Sequence, residues 1–141
     1  MKVKLILTFF TLFSCQGLVA KDYLVVSKKN SEIKSIDRET VKDIYLGSKL
    51  FWSNGSRIQP IHLPIEDKAF DTFLMNIVEM DTNQFLSYWR RKLFSGRAHP
   101  PKQIQKVQDI LKFVEENPDS VAVLPSRPKL NSKSLVIIEL D

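Results

Sequence analysis

Cysteine, glycine and histidine are scarce in this chain of 141 residues, and each shortage excludes a class of function. The single cysteine, Cys15, lies in an N-terminal apolar stretch, so the rest of the chain has no disulfide, thiol nucleophile or cysteine-bound metal. The four glycines form no phosphate-binding loop. His62 and His99 are far apart and lack HxH or HxxxH spacing, so the sequence predicts no metal site and no cofactor.

Patterns typical of enzymes and of nucleic-acid-binding proteins are missing as well. The sequence has no G-x-S-x-G nucleophile motif. The acidic residues between Glu66 and Asp81 lie where helix N-termini and solvated faces are expected, and a hidden carboxylate pair is the one catalytic alternative. The net charge is +5 with both signs interspersed, which does not indicate nucleic acid. We therefore predict a protein that is not an enzyme.

The N-terminus has the features of an export signal. Lys2 and Lys4 precede an apolar stretch at 5–13, and a small-residue site ends at Ala20. About nine apolar residues are too few to cross a bilayer, so no transmembrane segment is expected after cleavage. We predict a signal peptide at 1–20 and one domain at 21–141. The alternative is a lipoprotein anchored at Cys15, because residues 12–15 loosely resemble a lipobox.

The remaining hydrophobic pattern predicts an α/β domain. Asp37 and Asp81 are expected to cap helices, Gly47 and Gly96 to end them, and Asn54-Gly55 to form a hairpin turn. The pattern predicts strands at 23–27, 58–63, 120–124 and 134–140, and helices at 38–46, 66–78, about 82–94 and around Val107 to Val114. The helix after Asp81 is expected to bury one side, made of Phe85, Leu86, Tyr88, Trp89, Leu93 and Phe94.

The turn after that helix is the candidate binding site. Ser95, Gly96, Arg97 and His99 combine backbone N–H groups near a glycine with a guanidinium, and such a nest can hold a phosphate or a carboxylate. The alternative is purely structural. Gly96 would only end the helix, and the neighbouring cations would only favour the negative end of its dipole.

Several motifs together resemble the small, single-lobe relatives of phosphate-type periplasmic substrate-binding proteins. The resemblance covers nearly all of 21–141. The matching motifs are Tyr45-Leu46-Gly47, Trp52-Ser53-Asn54-Gly55, Phe70 and Phe73, Tyr88-Trp89, Phe94-Ser95-Gly96, Pro100-Pro101 and Asn117-Pro118.

The resemblance implies a single lobe of a type 2 periplasmic-binding-protein-like fold, with a mixed sheet flanked by helices, located in the bacterial periplasm. It suggests a small oxyanion such as phosphate as ligand, and a membrane transporter or sensor as partner. The family's anion-binding loop should follow the strand at 58–63. Here the segment 63–68 has lost the hydroxyls and gained Glu66 and Asp67, which would repel an anion. A protein-interaction module of the cell envelope that has lost anion binding is therefore the alternative.

Overall fold

The computed structural model describes residues 21–27, 33, 36–96 and 98–140. The predicted signal peptide, including Cys15 and Ala20, lies outside the described residues, and so does Arg97. No helix among the described residues is both long enough and apolar enough to cross a membrane.

The described chain forms an α/β domain built on one mixed sheet. The strands are β1 (Asp22–Ser27), β2 (Gln59–His62), β3 (Lys102–Gln103), β4 (Ser120–Leu124) and β5 (Leu135–Leu140). The helices are α1 (Arg38–Tyr45), α2 (Lys68–Phe73), α3 (Thr82–Phe94) and α4 (Val107–Glu116), and a π-helical segment, Leu74–Val78, continues α2. The predicted fold class is confirmed.

The sheet order is β3-β2-β4-β1-β5. Strands β3, β2 and β4 run parallel, whereas β1 is antiparallel to both of its neighbours, β4 and β5. All five residues of β4 are buried, as expected for a strand with neighbours on both sides and helices over it. Helix α4 packs against β1, β4 and β5.

The predicted helix caps are confirmed. The side chain of Asp37 accepts a hydrogen bond from the Thr40 amide at 2.7 Å. Asp81 and Gln84 form the reciprocal capping box at the start of α3. Gly47 and Gly96 follow α1 and α3 with φ values of +63° and +66°, a backbone conformation that glycine adopts most readily.

The hairpin prediction is only partly right. A turn does form around Asn54-Gly55, but antiparallel pairing across it is limited to one bridge, between Phe51 and Arg57. Strand β2 instead pairs in parallel with β3 and β4, which come later in the chain. The two-residue strand β3 was not predicted.

The predicted buried side of α3 is also partly wrong. Phe85 and Trp89 are buried, but Leu93 is 46% exposed and Phe94 is 88% exposed. Leu86 and Tyr88 are half-buried. The apolar residues continue at helical spacing to the end of α3. The last turn of the helix nevertheless stays exposed, because no other described element packs over it.

Candidate functional site: a cation-lined pocket

The N-termini of the first three helices are occupied by aspartate side chains. Asp37 caps α1, Asp67 accepts the Ala69 amide of α2 at 2.8 Å, and Asp81 accepts the Gln84 amide of α3 at 2.8 Å. A helix N-terminus favours negative charge, and these carboxylates already supply it. The loop at 63–68 therefore carries a protein carboxylate where the resemblance implied an anion.

The predicted turn uses its polar groups to end α3. The Ser95 hydroxyl donates to the Lys92 carbonyl oxygen at 2.6 Å, and the Gly96 amide donates to the Leu93 carbonyl oxygen at 2.9 Å. His99 is exposed and lies in a different setting, on the wall of a small pocket that neither Ser95 nor Gly96 lines. The structure thus separates His99 from the serine and glycine, and binding by this turn stays a prediction.

That small pocket concentrates positive charge. Lys49, Arg57, His99 and Lys102 border a cavity of about 170 Å³, which we call the cation-lined pocket. The other lining residues are Ile44, Gly47, Leu50, Ile58, Gln59, Pro60, Ile61 and Pro100. None of the lining residues is acidic. Cavities for drug-sized ligands measure about 300–1,000 Å³, so a pocket of this size suits a small ion.

Three segments of the chain supply the basic side chains. Lys49 follows α1, where its amide donates to the Asp43 carbonyl oxygen at 3.1 Å. Arg57 follows the Asn54-Gly55 turn, and Lys102 lies in β3. The ammonium of Lys102 is 4.2 Å from the ring centroid of Phe113, a cation–π contact that holds the lysine without neutralising it.

In the part of the chain that the structure describes, no ion pair joins the pocket's lysines or arginine to an acidic residue. Ion pairs among the described residues join Lys21 to Glu139, Lys42 to Glu79, and Lys112 to Glu116. None of them involves Lys49, Arg57 or Lys102. All three of those side chains are exposed, as is His99. Like charges that border one cavity repel one another, and a bound anion would relieve that repulsion.

The turn that carries Lys49 is held from behind by three side chains of α3. Tyr88 donates to the Leu46 carbonyl oxygen at 2.8 Å, and the indole of Trp89 donates to that of Tyr45 at 3.2 Å. Lys92 donates to the carbonyl oxygens of Leu46 and of Gly47, at 2.6 and 3.0 Å. We call Tyr88, Trp89 and Lys92 the α3 clamp.

Gly47 is required where the clamp meets the turn. A methyl group at this position would lie 2.7 Å from Cη2 of Trp89, inside the contact distance, and the φ of +63° already disfavours other residues. The clamp explains why the Tyr45-Leu46-Gly47 and Tyr88-Trp89 motifs occur together. They are two sides of one contact, which satisfies the last carbonyls of α1.

The end of β2 is fixed by two buried polar side chains. The Tyr45 hydroxyl donates to the Ile61 carbonyl oxygen at 2.5 Å and accepts the Val123 amide at 3.1 Å, so it links β2 and β4 where their ladder stops. Burial raises the pKa of the Tyr45 phenol, so the hydroxyl remains a donor. His62 is 5% exposed, stacks on Phe70 at 4.3 Å, and has its pKa lowered by burial.

Sequence reasoning found His99 but missed Lys49, Arg57 and Lys102. A usable signal was present for two of them. A turn centred on Asn54-Gly55 places the residues before Phe51 beside those after Arg57, which brings Lys49 and Arg57 to one end of the hairpin. Lys102 carried no such signal, because its place beside β2 depends on a pairing between segments about forty residues apart in the sequence.

Comparison with known proteins agrees with the predicted architecture. No protein-family model matches the sequence, and no curated protein matches it. Among solved structures, the chain is similar to an ABC-type phosphate transport receptor from Vibrio cholerae, with a TM-score of 0.51 and 14% sequence identity. The match covers 84% of this chain and 45% of the receptor, so the matched part spans less than half of that protein's length. At 14% identity the likeness is one of fold alone, and at that level it confirms the predicted resemblance.

Among the described residues, no group of three or more histidine, cysteine, aspartate or glutamate side chains is placed to hold a metal ion. The chemistry that the cation-lined pocket offers is binding. It has donors and positive charge, and none of the residues that line it is a carboxylate or a thiol.

Proposed function

We propose that this chain is a non-catalytic, substrate-binding-protein-like domain that holds a small oxyanion such as phosphate in the cation-lined pocket, for transport or sensing. The observation that carries the proposal is the convergence of Lys49, Arg57, Lys102 and His99 on one small cavity with no acidic lining residue. A guanidinium binds a tetrahedral oxyanion through paired N–H groups, and lysines add charge without fixed geometry.

Two further observations support an anion as the ligand. The N-termini of α1, α2 and α3 already carry aspartates, so these three helices offer an added anion no free terminus. The solved structure that shares the fold is described as a phosphate transport receptor, which makes phosphate the first ligand to test. Pocket exposure predicts modest affinity and strong dependence on salt.

Isothermal titration with phosphate and with sulfate tests the proposal. The unaltered protein should bind one phosphate per chain at low ionic strength, and Arg57→Gln should weaken binding by about tenfold or more, since charge-assisted hydrogen bonds are worth about 1.5–3 kcal/mol. Arg91→Gln is the matched control, because Arg91 is exposed and does not line the pocket. No heat at millimolar phosphate, or equal losses in both variants, would contradict the proposal.

The same proposal places the mature chain in the periplasm. The basic residues at Lys2 and Lys4, the apolar stretch and the site ending at Ala20 support export followed by cleavage before Lys21. N-terminal sequencing of protein released by osmotic shock should begin at Lys21. A membrane-bound form that loses its lipid label after Cys15→Ser would instead support the lipoprotein alternative.

A further inference from the structure

An apolar groove lies between α3 and the strand edge and does not belong to the cation-lined pocket. Its walls include Ile65, Leu86, Trp89, Leu93 and Pro101, with Gln103 at the sheet end, and its volume is about 380 Å³. Lys102 and Gln103 are neighbours in β3, where successive side chains point to opposite faces. Lys102 lines the pocket and Gln103 lines the groove, so the two sites use different faces of one strand.

The last turn of α3 extends this apolar surface into solvent. Leu93 lines the groove and is 46% exposed, and the adjacent Phe94 is 88% exposed. Single exposed apolar residues are common on protein surfaces, but exposed apolar side chains beside an apolar groove favour an interaction site. Burial of the Phe94 ring against a partner would remove the largest exposed apolar side chain in this part of the molecule.

The groove also borders the sheet edge formed by β3, where backbone N–H and C=O groups can form hydrogen bonds with an added strand. Strand β3 ends the strand order, and among the described strands it pairs only with β2. Along a strand, the backbone N–H and C=O groups of successive residues point alternately toward one neighbouring strand and away from it. The Ile104 amide donates to the His62 carbonyl oxygen at 2.9 Å, so the backbone N–H of Ile104 points toward β2. The N–H and C=O of Gln103 must therefore point away from β2, toward the open edge. Pro100 and Pro101 have no N–H, so a ladder on this edge can begin only at Gln103.

The charge of the residues around the groove indicates which kind of partner segment it would bind. Of the described residues that line it, Arg90 alone carries a formal charge, and none is acidic. A second copy of this chain that docked through its own groove would bring its Arg90 and the exposed neighbour Arg91 close to the same two cations of the first copy. Like charges brought together oppose such a pairing, whereas an acidic segment would meet complementary charge.

We propose that the groove and the free edge of β3 bind an extended, acidic segment of a partner protein. The segment adds as a strand beside Gln103, places alternate apolar side chains in the groove, and sets carboxylates near Arg90. Main-chain hydrogen bonds supply affinity in this mode of recognition, and the alternate side chains supply specificity. The inference does not depend on phosphate binding.

Two synthetic eight-residue peptides test the proposal by fluorescence anisotropy. In the first, phenylalanine and valine alternate with glutamate; in the second, lysine replaces each glutamate. The full-length mature chain should bind the acidic peptide saturably and the basic peptide at least tenfold more weakly. Arg90→Glu should reverse that preference, while Arg91→Glu, which lies outside the groove, should leave it unchanged.

Gln103→Pro isolates the strand addition. It removes an N–H that points away from β2 and leaves the β2–β3 bonds in place, so peptide binding should fall at least tenfold while the circular dichroism spectrum and urea midpoint are retained. Gln103→Ala keeps the N–H and should bind normally. Undiminished peptide binding by the proline variant, or no binding by the unaltered protein, would overturn the proposal. A dimer detected by sedimentation and abolished by Phe94→Asp would also overturn it, in favour of a second copy.

Discussion

The α3 clamp and the cation-lined pocket share one turn of the chain but use positive charge in opposite ways. Lys92 of the clamp donates to two backbone carbonyls and to the Tyr88 hydroxyl, and lies 5.5 Å from the Trp89 ring. Lys49 of the pocket is exposed and forms no ion pair among the described residues. The difference indicates that Lys92 belongs to the fold, whereas Lys49 remains available to a ligand.

The residues of the family motifs and the residues proposed to bind a ligand are therefore different sets. Two of the motifs that carry the resemblance, Tyr45-Leu46-Gly47 and Tyr88-Trp89, meet where the clamp holds the turn after α1. The basic residues we propose for binding lie outside the motifs, and one of them, Lys49, follows the same turn. A match to the motifs therefore identifies the architecture, and the ligand must be inferred from the pocket.

The largest expected effect comes from removing the centre of the clamp. Trp89→Ala should lower the free energy of unfolding by about 3–5 kcal/mol, because the indole is buried and donates to the Tyr45 carbonyl. Urea denaturation followed by circular dichroism measures the loss. Arg90→Ala, at an exposed neighbouring position, should change stability by no more than about 0.5 kcal/mol. A similar loss in both variants would show that Trp89 contributes no more to stability than an exposed position of α3.

Gly47→Ala should have the next largest effect. The left-handed backbone costs about 1–3 kcal/mol for a residue other than glycine, and the added methyl group would also meet the Trp89 ring. Gly96→Ala is the matched control, since it has a similar φ of +66° and no heavy atom within 4 Å of the new methyl group. Thermal and urea unfolding should show a larger loss at Gly47, and equal losses would show that the ring moves aside at no cost.

Replacing each of the two lysines by methionine tests the comparison between the clamp and the pocket directly. Lys92→Met should cost about 1.5–3 kcal/mol of stability, because hydrogen bonds from a charged donor are lost. Lys49→Met should change stability by no more than about 0.5 kcal/mol, as expected at an exposed site. Phosphate affinity should show the reverse order, falling for Lys49→Met more than for Lys92→Met when each is titrated in its folded state. A stable Lys92→Met variant with unchanged phosphate binding would contradict the structural role.

The smallest effect is a pH dependence at the end of β2. Burial lowers the pKa of His62 in the folded state below the value of about 6.5 expected when unfolded. The unfolded chain therefore binds more protons, so the stability from the neutral ring is full above pH 6.5 and decreases as the pH falls below it. Urea midpoints measured between pH 7.5 and 5 should fall more for the unaltered protein than for His62→Gln. His99→Gln, an exposed control, should retain the full dependence.

The sequence predicted what depends on neighbouring residues. The caps at Asp37 and Asp81 and the stops at Gly47 and Gly96 are local, because each acts within one helical turn. The strand β3 was missed because two residues have no periodicity, and their conformation is set by pairing with β2. The exposure of Leu93 and Phe94 was missed because spacing shows which residues share a face, but not where its neighbours end.

The sequence named one of the basic residues that line the candidate pocket. His99, which was expected to help bind a small anion, borders the cation-lined pocket, and anion binding itself stays a prediction. The serine and glycine of the predicted turn are engaged in ending α3, because a hydroxyl and an amide next to a helix terminus find carbonyl acceptors there first. Lys49, Arg57 and Lys102 converge only after the sheet and the turn have formed.

The position of β1 between β4 and β5 bears on how the chain acquires its fold. The register of β1 with β5 runs from Asp22 paired with Leu140 to Ser27 paired with Leu135, and 118 residues separate Lys21 from its partner Glu139. Contacts this distant in sequence slow folding, because the intervening chain must first be ordered. An N-terminal strand emerging from the ribosome would have no partner until β4 and β5 had been made. Strand β1 would thus gain neighbours on both sides only after the last strand of the sheet had been synthesised.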